Sequence, residues 1–244
     1  SQNDGKDREG EVYLHAKVNE KHLSKLMVAL GRMAKSRLFT FNWSQLSDSS
    51  SRNLLTIMLQ ASYEYKFSGG RGQTLANTMW SLAQMNVDFW IHVPPRLQSR
   101  LMAHIFEECS TNLDFTDEAV AVIVLSLSKM NVMWYDLPLP LQSAISKSVC
   151  RICLKSGDDV IQAQAISNLV YALGKMGCNR YALTDRVIMA LEIAIRKSAR
   201  LLTLMNDDTI QIMRGLSLMM FKWTPEDTSL TEETRTLLSN ALYS

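Results

Sequence analysis

An eleven-residue pattern recurs five times along this chain, and no other feature of the sequence limits the possible fold so strongly. The clearest copy is LANTMWSLAQM, at residues 75–85. The other copies begin at residues 23, 120, 166 and 209, so successive copies start 52, 45, 46 and 43 residues apart. Repeats of this length are typical of helical hairpins that stack in an array and bury a common core between neighbours.

The apolar residues of each copy lie mostly at positions one, four, five, eight and eleven. That spacing places them on one face of a helix, so each copy predicts a motif helix with a buried apolar stripe. Position eight is leucine in all five copies, namely Leu30, Leu82, Leu127, Leu173 and Leu216. No stretch of useful length alternates polar and apolar residues as a strand would. The sequence therefore predicts an all-α fold, an α-solenoid of about five helical-hairpin repeats and about ten helices.

The repeats are expected to fill residues 22–244 as a single α-solenoid, after a polar N-terminal leader at residues 1–21. Each motif helix should be followed by a partner helix that begins at a capping residue or a proline. The partner helices are expected at about residues 50–67, 95–110, 140–155, 185–204 and from 231 onward. The Gly-rich segment 68–74 lacks the Lys-Ser/Thr ending of a phosphate-binding loop, so we interpret it as a flexible loop between repeats.

Small residues occupy positions seven and nine of the pattern, with glycine at Gly31, Gly174 and Gly215. Glycine disfavours a helix interior by about 1 kcal/mol, so its use here indicates that neighbouring helices approach closely. Aromatic residues follow position eleven by four or five residues, and we expect them to be buried at the turn. They are Trp90, Trp134, Tyr181 and Trp223.

Composition excludes several classes of protein. Because 47% of the residues are hydrophobic, the chain can bury a core. The net charge is only +2, which by itself does not indicate a polyanionic partner. No apolar run is long enough to predict a membrane span. Cys150 and Cys153 could be half of a zinc site, but they lack a second ligand pair at suitable spacing, and the alternative is a pair of buried thiols.

No catalytic or nucleotide-binding motif is present, so we expect no enzymatic activity, no cofactor, no metal and no small-molecule substrate. The polar residues of the pattern instead lie at positions three and ten, seven residues apart on one helix face. We call these two positions of all five copies the polar ladder. Its members with a cation or an amide are the candidate RNA-binding residues Lys25, Arg32, Asn77, Gln84, Lys129, Asn168 and Lys175. The alternative is a solvated polar face without a ligand.

The segments LANTMWSLAQMNV, AISNLVYALGKMG and AVAVIVLSLSKMNV, together with Pro94 and Pro95, resemble the helical repeats of organellar RNA-binding proteins. The similar families are the octotricopeptide and heptatricopeptide repeat proteins, and the helical regions that precede a RAP domain in FAST-kinase-like proteins. The resemblance implies an α-solenoid in mitochondria, or alternatively in plastids, that binds ribosomal or messenger RNA. It also implies protein partners in a ribonucleoprotein such as the mitochondrial ribosome.

A second hypothesis comes from a different class of function. Armadillo and HEAT proteins use the same stacked hairpins to grip a peptide or a partner helix without contacting RNA. The nearly neutral charge favours this alternative, as do the apolar residues Val122 and Leu218, which interrupt the polar ladder. The sequence leaves both hypotheses open.

Overall fold

A computed structural model describes residues 20–36, 71–111, 116–154, 163–200, 206–224 and 230–243 of the chain. Within these ranges the protein is all-helical, with ten α-helices and no strand, so the predicted class and helix number are confirmed. The helices are α1 Glu20–Lys35, α2 Arg71–Gln84, α3 Phe89–His92, α4 Pro95–Thr111, α5 Asp117–Lys129, α6 Leu139–Cys153, α7 Ala163–Lys175, α8 Asp185–Arg200, α9 Asn206–Leu218 and α10 Glu232–Tyr243. Short 3-10 helices cover Trp134–Asp136 and Arg180–Ala182.

Two boundaries differ from the predictions. The helix α1 begins at Glu20, so the last two residues assigned to the leader are helical. Residues 71–74, assigned to a flexible loop, form the first turn of α2, where the Gln73 side-chain amide donates to Asn77 Oδ1 at 3.2 Å and stabilises that turn. The rest of the leader and the partner helix expected at residues 50–67 lie outside the described residues.

The helices pack in two rows that follow the order of the chain. The motif helices α1, α2, α5, α7 and α9 each contact the next one, and so do the partner helices α4, α6, α8 and α10. Contacts within each hairpin join the rows. We call them the motif-helix row and the partner-helix row. Such packing between neighbours is what repeated hairpins produce, because each hairpin buries its apolar face only against the adjacent one.

The predicted apolar stripe is the core of the motif-helix row. The position-eight leucines of α2, α5, α7 and α9 are at most 2% exposed. In α1, by contrast, Leu30 is only half-buried, and Leu26 and Met33 are 51% and 49% exposed. The expectation of a buried stripe is therefore wrong for α1. Among the described helices α1 packs chiefly against α2, whereas α9, at the other end of the described row, packs against both α7 and α10.

Glycines at positions seven and nine bring helix backbones into contact, as predicted. A Cβ added to Gly174 would lie 2.5 Å from the Gly215 carbonyl oxygen, and one added to Gly215 would lie 2.6 Å from the Val170 carbonyl oxygen. Both distances are shorter than a van der Waals contact, so α7 and α9 can approach this closely only without side chains at these positions.

Each described motif helix from α2 onward ends in the same way. The residue after position eleven has a positive φ, and the following N–H donates to the carbonyl of the position-eight leucine, as Val87 does to Leu82 at 3.1 Å. This left-handed cap satisfies carbonyls that the helix end leaves without partners. The residues with positive φ are Asn86, Asn131, Gly177 and Met220.

Backbone hydrogen bonds also join successive repeats at this turn. Phe89 N donates to the Met130 carbonyl at 3.0 Å, and Trp134 N donates to the Met176 carbonyl at 2.7 Å. Arg180 N makes the equivalent bond to the Met219 carbonyl at 2.9 Å. Each turn is thereby held against the end of the next motif helix, which sets the register between repeats.

The partner helices begin close to where the prolines and capping residues predict. Pro95 is the first residue of α4, and the side-chain amide of Gln98 donates to the Val93 carbonyl at 2.8 Å. Gln142 makes the corresponding bond to the Leu137 carbonyl at 2.9 Å. Within the described ranges, no helix combines the length and the apolar character that crossing a bilayer requires.

Candidate nucleic-acid interface

The polar ladder lies on the solvent-accessible face of the motif-helix row. Its cations Lys25, Arg32, Lys129 and Lys175 are exposed. Its amides Asn77, Gln84 and Asn168 are half-buried. Because the motif helices pack in chain order, equivalent positions of successive repeats are neighbours along this face. The seven predicted residues therefore share one face of one row.

The positive charges of two other lysines act on Lys129 of this face. The pKa of Lys129 is lowered from its ordinary value, first by partial desolvation and then by the positive charges of Lys175 and Lys35. Among the described residues, no carboxylate pairs with any of these three lysines. We call these residues the lysine cluster. A bound anion would relieve the repulsion within it.

Lys35 was not among the residues singled out from the repeat. It lies two residues after the end of the first copy, three residues after Arg32 and in the same last turn of α1. Helical spacing within α1 could have placed it near the ladder. Its proximity to Lys129, two repeats along the row, could not be read from the sequence because it depends on how the helices stack.

The ladder amides Asn168 and Asn77 are held by hydrogen bonds. The Gln211 side-chain amide donates to Asn168 Oδ1 at 3.0 Å, which links α9 to α7. Asn77 accepts from Gln73 within α2. These bonds orient the amide groups on the face, which favours recognition because less side-chain freedom is lost when a ligand binds.

Sequence reasoning missed position six, which lies between positions three and ten on the same face. It holds Trp80, Leu125 and Tyr171, all half-buried, and the exposed Arg214. The Arg214 guanidinium lies 5.9 Å from the centre of the Tyr171 ring. The i, i+3, i+7 spacing of positions three, six and ten was available as a signal. Aromatic rings between cations are the usual platform for stacking nucleic-acid bases.

Apolar residues interrupt this face at two places. Val122 and Leu125 pack partly against the core in the middle of the row. Leu218 takes the ladder position at the end of α9 and is exposed. The lysine cluster and the aromatic residues are therefore parts of a mixed face and not of a continuous basic groove.

The expected burial of the aromatic residues at the turn is wrong for two of the four. Trp134 is buried and Trp223 is half-buried, whereas Trp90 is 42% and Tyr181 is 73% exposed. The reason is that the exposed side chain belongs to the residue after the one that anchors the turn. In each of three repeats one turn residue donates its backbone N–H to the next motif helix, namely Phe89, Trp134 and Arg180. The residue that follows each of them has an exposed side chain, namely Trp90, Tyr135 and Tyr181.

The cysteines are buried, as the interpretation of Cys150 and Cys153 as buried thiols requires. Burial raises the pKa of Cys109 to about 11 and that of Cys178 to about 12, and it also raises the pKa of Cys150. These three thiols are therefore protonated and poorly nucleophilic near neutral pH. In the part of the chain that the structure describes, no three His, Cys, Asp or Glu residues come together as a metal site would require.

No protein-family model, curated protein or solved structure matches this chain.

Proposed function

We propose that this protein is a non-catalytic RNA-binding helical-repeat protein, and that single-stranded RNA lies along the motif-helix row. The lysine cluster is the observation that carries the proposal. The positive charges of Lys175 and Lys35 act on Lys129, and none of the three lysines has a described acidic partner, so a phosphate backbone would offset this repulsion.

The other residues of the face fit the same ligand. Trp80 and Tyr171 are half-buried at position six of the same face, and the accessible part of each ring could stack on a base of a single strand. The amides of Asn77 and Asn168 can bond base edges or phosphate oxygens. Phosphate contacts by the lysines would supply affinity, and the aromatic and amide groups would favour unpaired bases over a duplex.

The resemblance to organellar repeat proteins supports a more specific setting. The RNA would be ribosomal or messenger RNA, and the compartment would be the mitochondrion or alternatively the plastid. The protein would act inside a ribonucleoprotein such as the mitochondrial ribosome, together with other proteins. Each of these statements belongs to the proposal.

A charge-removal experiment tests the RNA proposal. The double variant Lys129→Gln with Lys175→Gln removes two positive charges from the lysine cluster. We expect its affinity for a single-stranded RNA oligonucleotide to fall at least about tenfold, with a salt slope about one to two units shallower. Fluorescence anisotropy over a series of salt concentrations measures both quantities.

The matched control removes the same number of charges from exposed cations outside the motif helices. It carries Arg96→Gln on α4 and Lys222→Gln after α9. We expect this control to bind RNA nearly as well as the unmodified protein. Equal losses in the two double variants, or no loss in either, would show that the lysine cluster is not the RNA site.

A protein-binding scaffold remains the second candidate, because α1 presents an apolar strip. Leu26 and Met33 are each about half exposed, Leu30 beside them is half-buried, and all three follow one side of the helix. A partner helix could pack on this strip. If the Leu26→Ser with Met33→Ser variant loses its native protein partners while the lysine variant keeps wild-type RNA affinity, the scaffold function replaces the RNA function.

A further inference from the structure

A separate groove lies in the partner-helix row, between α6 and the start of α8. It has a volume of about 770 Å³, which is within the range of small-molecule sites. One wall is formed by residues of α6 and by Leu154 just after it, and the other wall is formed by Thr184, Arg186 and Val187 at the beginning of α8. Trp134 and Ala182, from the two 3-10 helices, also line it. None of these residues belongs to the polar ladder.

Every charged residue that lines the groove is a cation. These residues are Lys147 and Arg151 on α6 and Arg186 on α8. Lys147 and Arg151 are one helical turn apart, so they extend from the same side of α6. Among the described residues, no carboxylate forms an ion pair with Lys147 or Arg186. Two arginines and a lysine around one cavity favour a phosphate group, since the guanidinium fork matches its oxygens.

Several residues that line the groove carry hydrogen-bond donors. The Trp134 side chain is 1% exposed, and its Nε1 donor is buried without an acceptor in the structure. A buried donor without a partner costs roughly 1–3 kcal/mol and is uncommon in folded proteins. Hydroxyl groups of Ser143, Ser146 and Thr184 line the same space.

Apart from Gln142, the remaining lining is apolar. Leu139, Leu154, Val187 and the buried Cys150 provide a surface for the uncharged part of a ligand. Inorganic phosphate alone would leave most of the volume unfilled, whereas a phosphate attached to a flat or apolar body of nucleotide size would fill it. Charge, donors and volume thus indicate the same kind of occupant.

We propose that the groove between α6 and α8 is a binding site for a phosphate-bearing organic molecule of nucleotide size. Lys147, Arg151 and Arg186 hold the phosphate, and the apolar wall takes the rest of the ligand. The proposal concerns binding and includes no chemical step. It does not depend on the RNA proposal, because the two sites lie on different rows of helices.

Isothermal titration calorimetry on the full chain tests this site, with adenosine monophosphate, adenosine and inorganic phosphate as probes at constant ionic strength. We expect adenosine monophosphate to bind at least about tenfold more tightly than either of the other two, since it alone engages both the cations and the apolar wall. The double variant Lys147→Gln with Arg186→Gln should weaken that binding about tenfold or more. Lys147 is exposed, so Lys147→Gln alone keeps the fold and tests the site if the double variant is unstable.

The matched control is the Arg96→Gln with Lys222→Gln variant, which loses two positive charges from exposed residues that line neither the groove nor the polar ladder. It should bind adenosine monophosphate as the unmodified chain does. The variant Trp134→Phe keeps a buried ring but removes the Nε1 donor, and its missing signal identifies the Trp134 indole N–H in an NMR spectrum. That signal should shift when adenosine monophosphate is added.

Three results would overturn the proposal. One is adenosine monophosphate binding no more tightly than phosphate. Another is an equal loss of binding in the control variant, which would mean nonspecific attraction to positive charge. The third is binding of a phosphoserine peptide without binding of adenosine monophosphate, which would assign the groove to a protein partner.

Discussion

The first motif helix, α1, and the last pair, α7 and α9, carry the same eleven-residue pattern but bury it to different extents. Gly174 and Gly215 bring the backbones of α7 and α9 together, and Leu173 and Leu216 are buried there. In α1 the equivalent Leu30 remains half-buried. The pattern thus specifies which side of a helix is apolar, while the packing of neighbouring helices against it decides how much of that side is removed from water.

The largest expected effect comes from truncating the position-eight leucine at the two ends. Leu173→Ala should lower the free energy of unfolding by about 2–5 kcal/mol, because it leaves a cavity in a closely packed core. Leu30→Ala should lower it by only about 1 kcal/mol, since that side chain is already partly in water. Chemical denaturation of both variants measures the difference, and equal losses would contradict the contrast between the ends.

The close approach of α7 and α9 can be broken by adding one methyl group. In Gly215→Ala the new Cβ would meet the backbone of Val170 and Tyr171 at 2.6–2.7 Å, and backbone cannot move aside easily. We expect a net loss of about 1–3 kcal/mol even though alanine is the better helix former.

Gly31→Ala is the matched change at the α1 end. Its Cβ would meet the far edge of the Trp80 ring at 2.7 Å and the Ser81 Cα at 3.0 Å, so most of the crowding falls on a side chain that can shift. We expect a change within about 1 kcal/mol of zero. Thermal unfolding of both glycine variants measures their stabilities, and a larger loss of stability in Gly31→Ala than in Gly215→Ala would contradict this prediction.

The closely packed end can also be made more stable. Met220 has a φ of 66°, a left-handed conformation that asparagine or glycine adopts in the other described caps. Met220→Gly should raise the free energy of unfolding by about 0.5 kcal/mol, because it relieves the contact between Cβ and the backbone. Leu218→Gly, in helical backbone two residues earlier, is the control and should lower it by about 1 kcal/mol. Urea denaturation of both variants shows whether the free energy of unfolding rises or falls in each.

The smallest expected effect concerns pH and the last partner helix. Hydrogen bonds from Arg200 and Arg196 lower the pKa of Glu233, which helps to hold α10 against α8. A lowered carboxyl pKa stabilises the fold above the ordinary value of 4.5 and loses that contribution as pH falls through the folded-state value. Glu233→Gln should therefore flatten the acid side of the stability curve slightly. Unfolding midpoints between pH 7 and pH 3 test this, and an unchanged slope would contradict it.

Much of the fold follows from local pattern. The spacing of apolar residues predicts the motif helices, Pro95 marks the start of α4, and glycine at positions seven and nine predicts the contact between α7 and α9. The turn was predicted less well, because Phe89 and Trp90 are adjacent aromatics and the pattern does not say which one is buried. The backbone bond from Phe89 to the next motif helix decides it.

The candidate sites divide in the same way. The polar ladder can be listed from helical periodicity, since residues three and seven positions apart must share a face whatever surrounds the helix. Helical periodicity does not predict the lysine cluster or the groove between α6 and α8. Lys35 and Lys129 are 94 residues apart in the chain, and the groove collects side chains from four separate elements.

The sequence by itself determined that the chain is helical, that it repeats, and which face of each motif helix is apolar, because these properties depend on spacings of a few residues. Tertiary structure alone decided that α1 stays partly uncovered, that three lysines meet across the row, and that cations and the buried Trp134 surround one groove. These outcomes depend on the offset and angle between neighbouring helices, which are set by contacts between residues far apart in the chain.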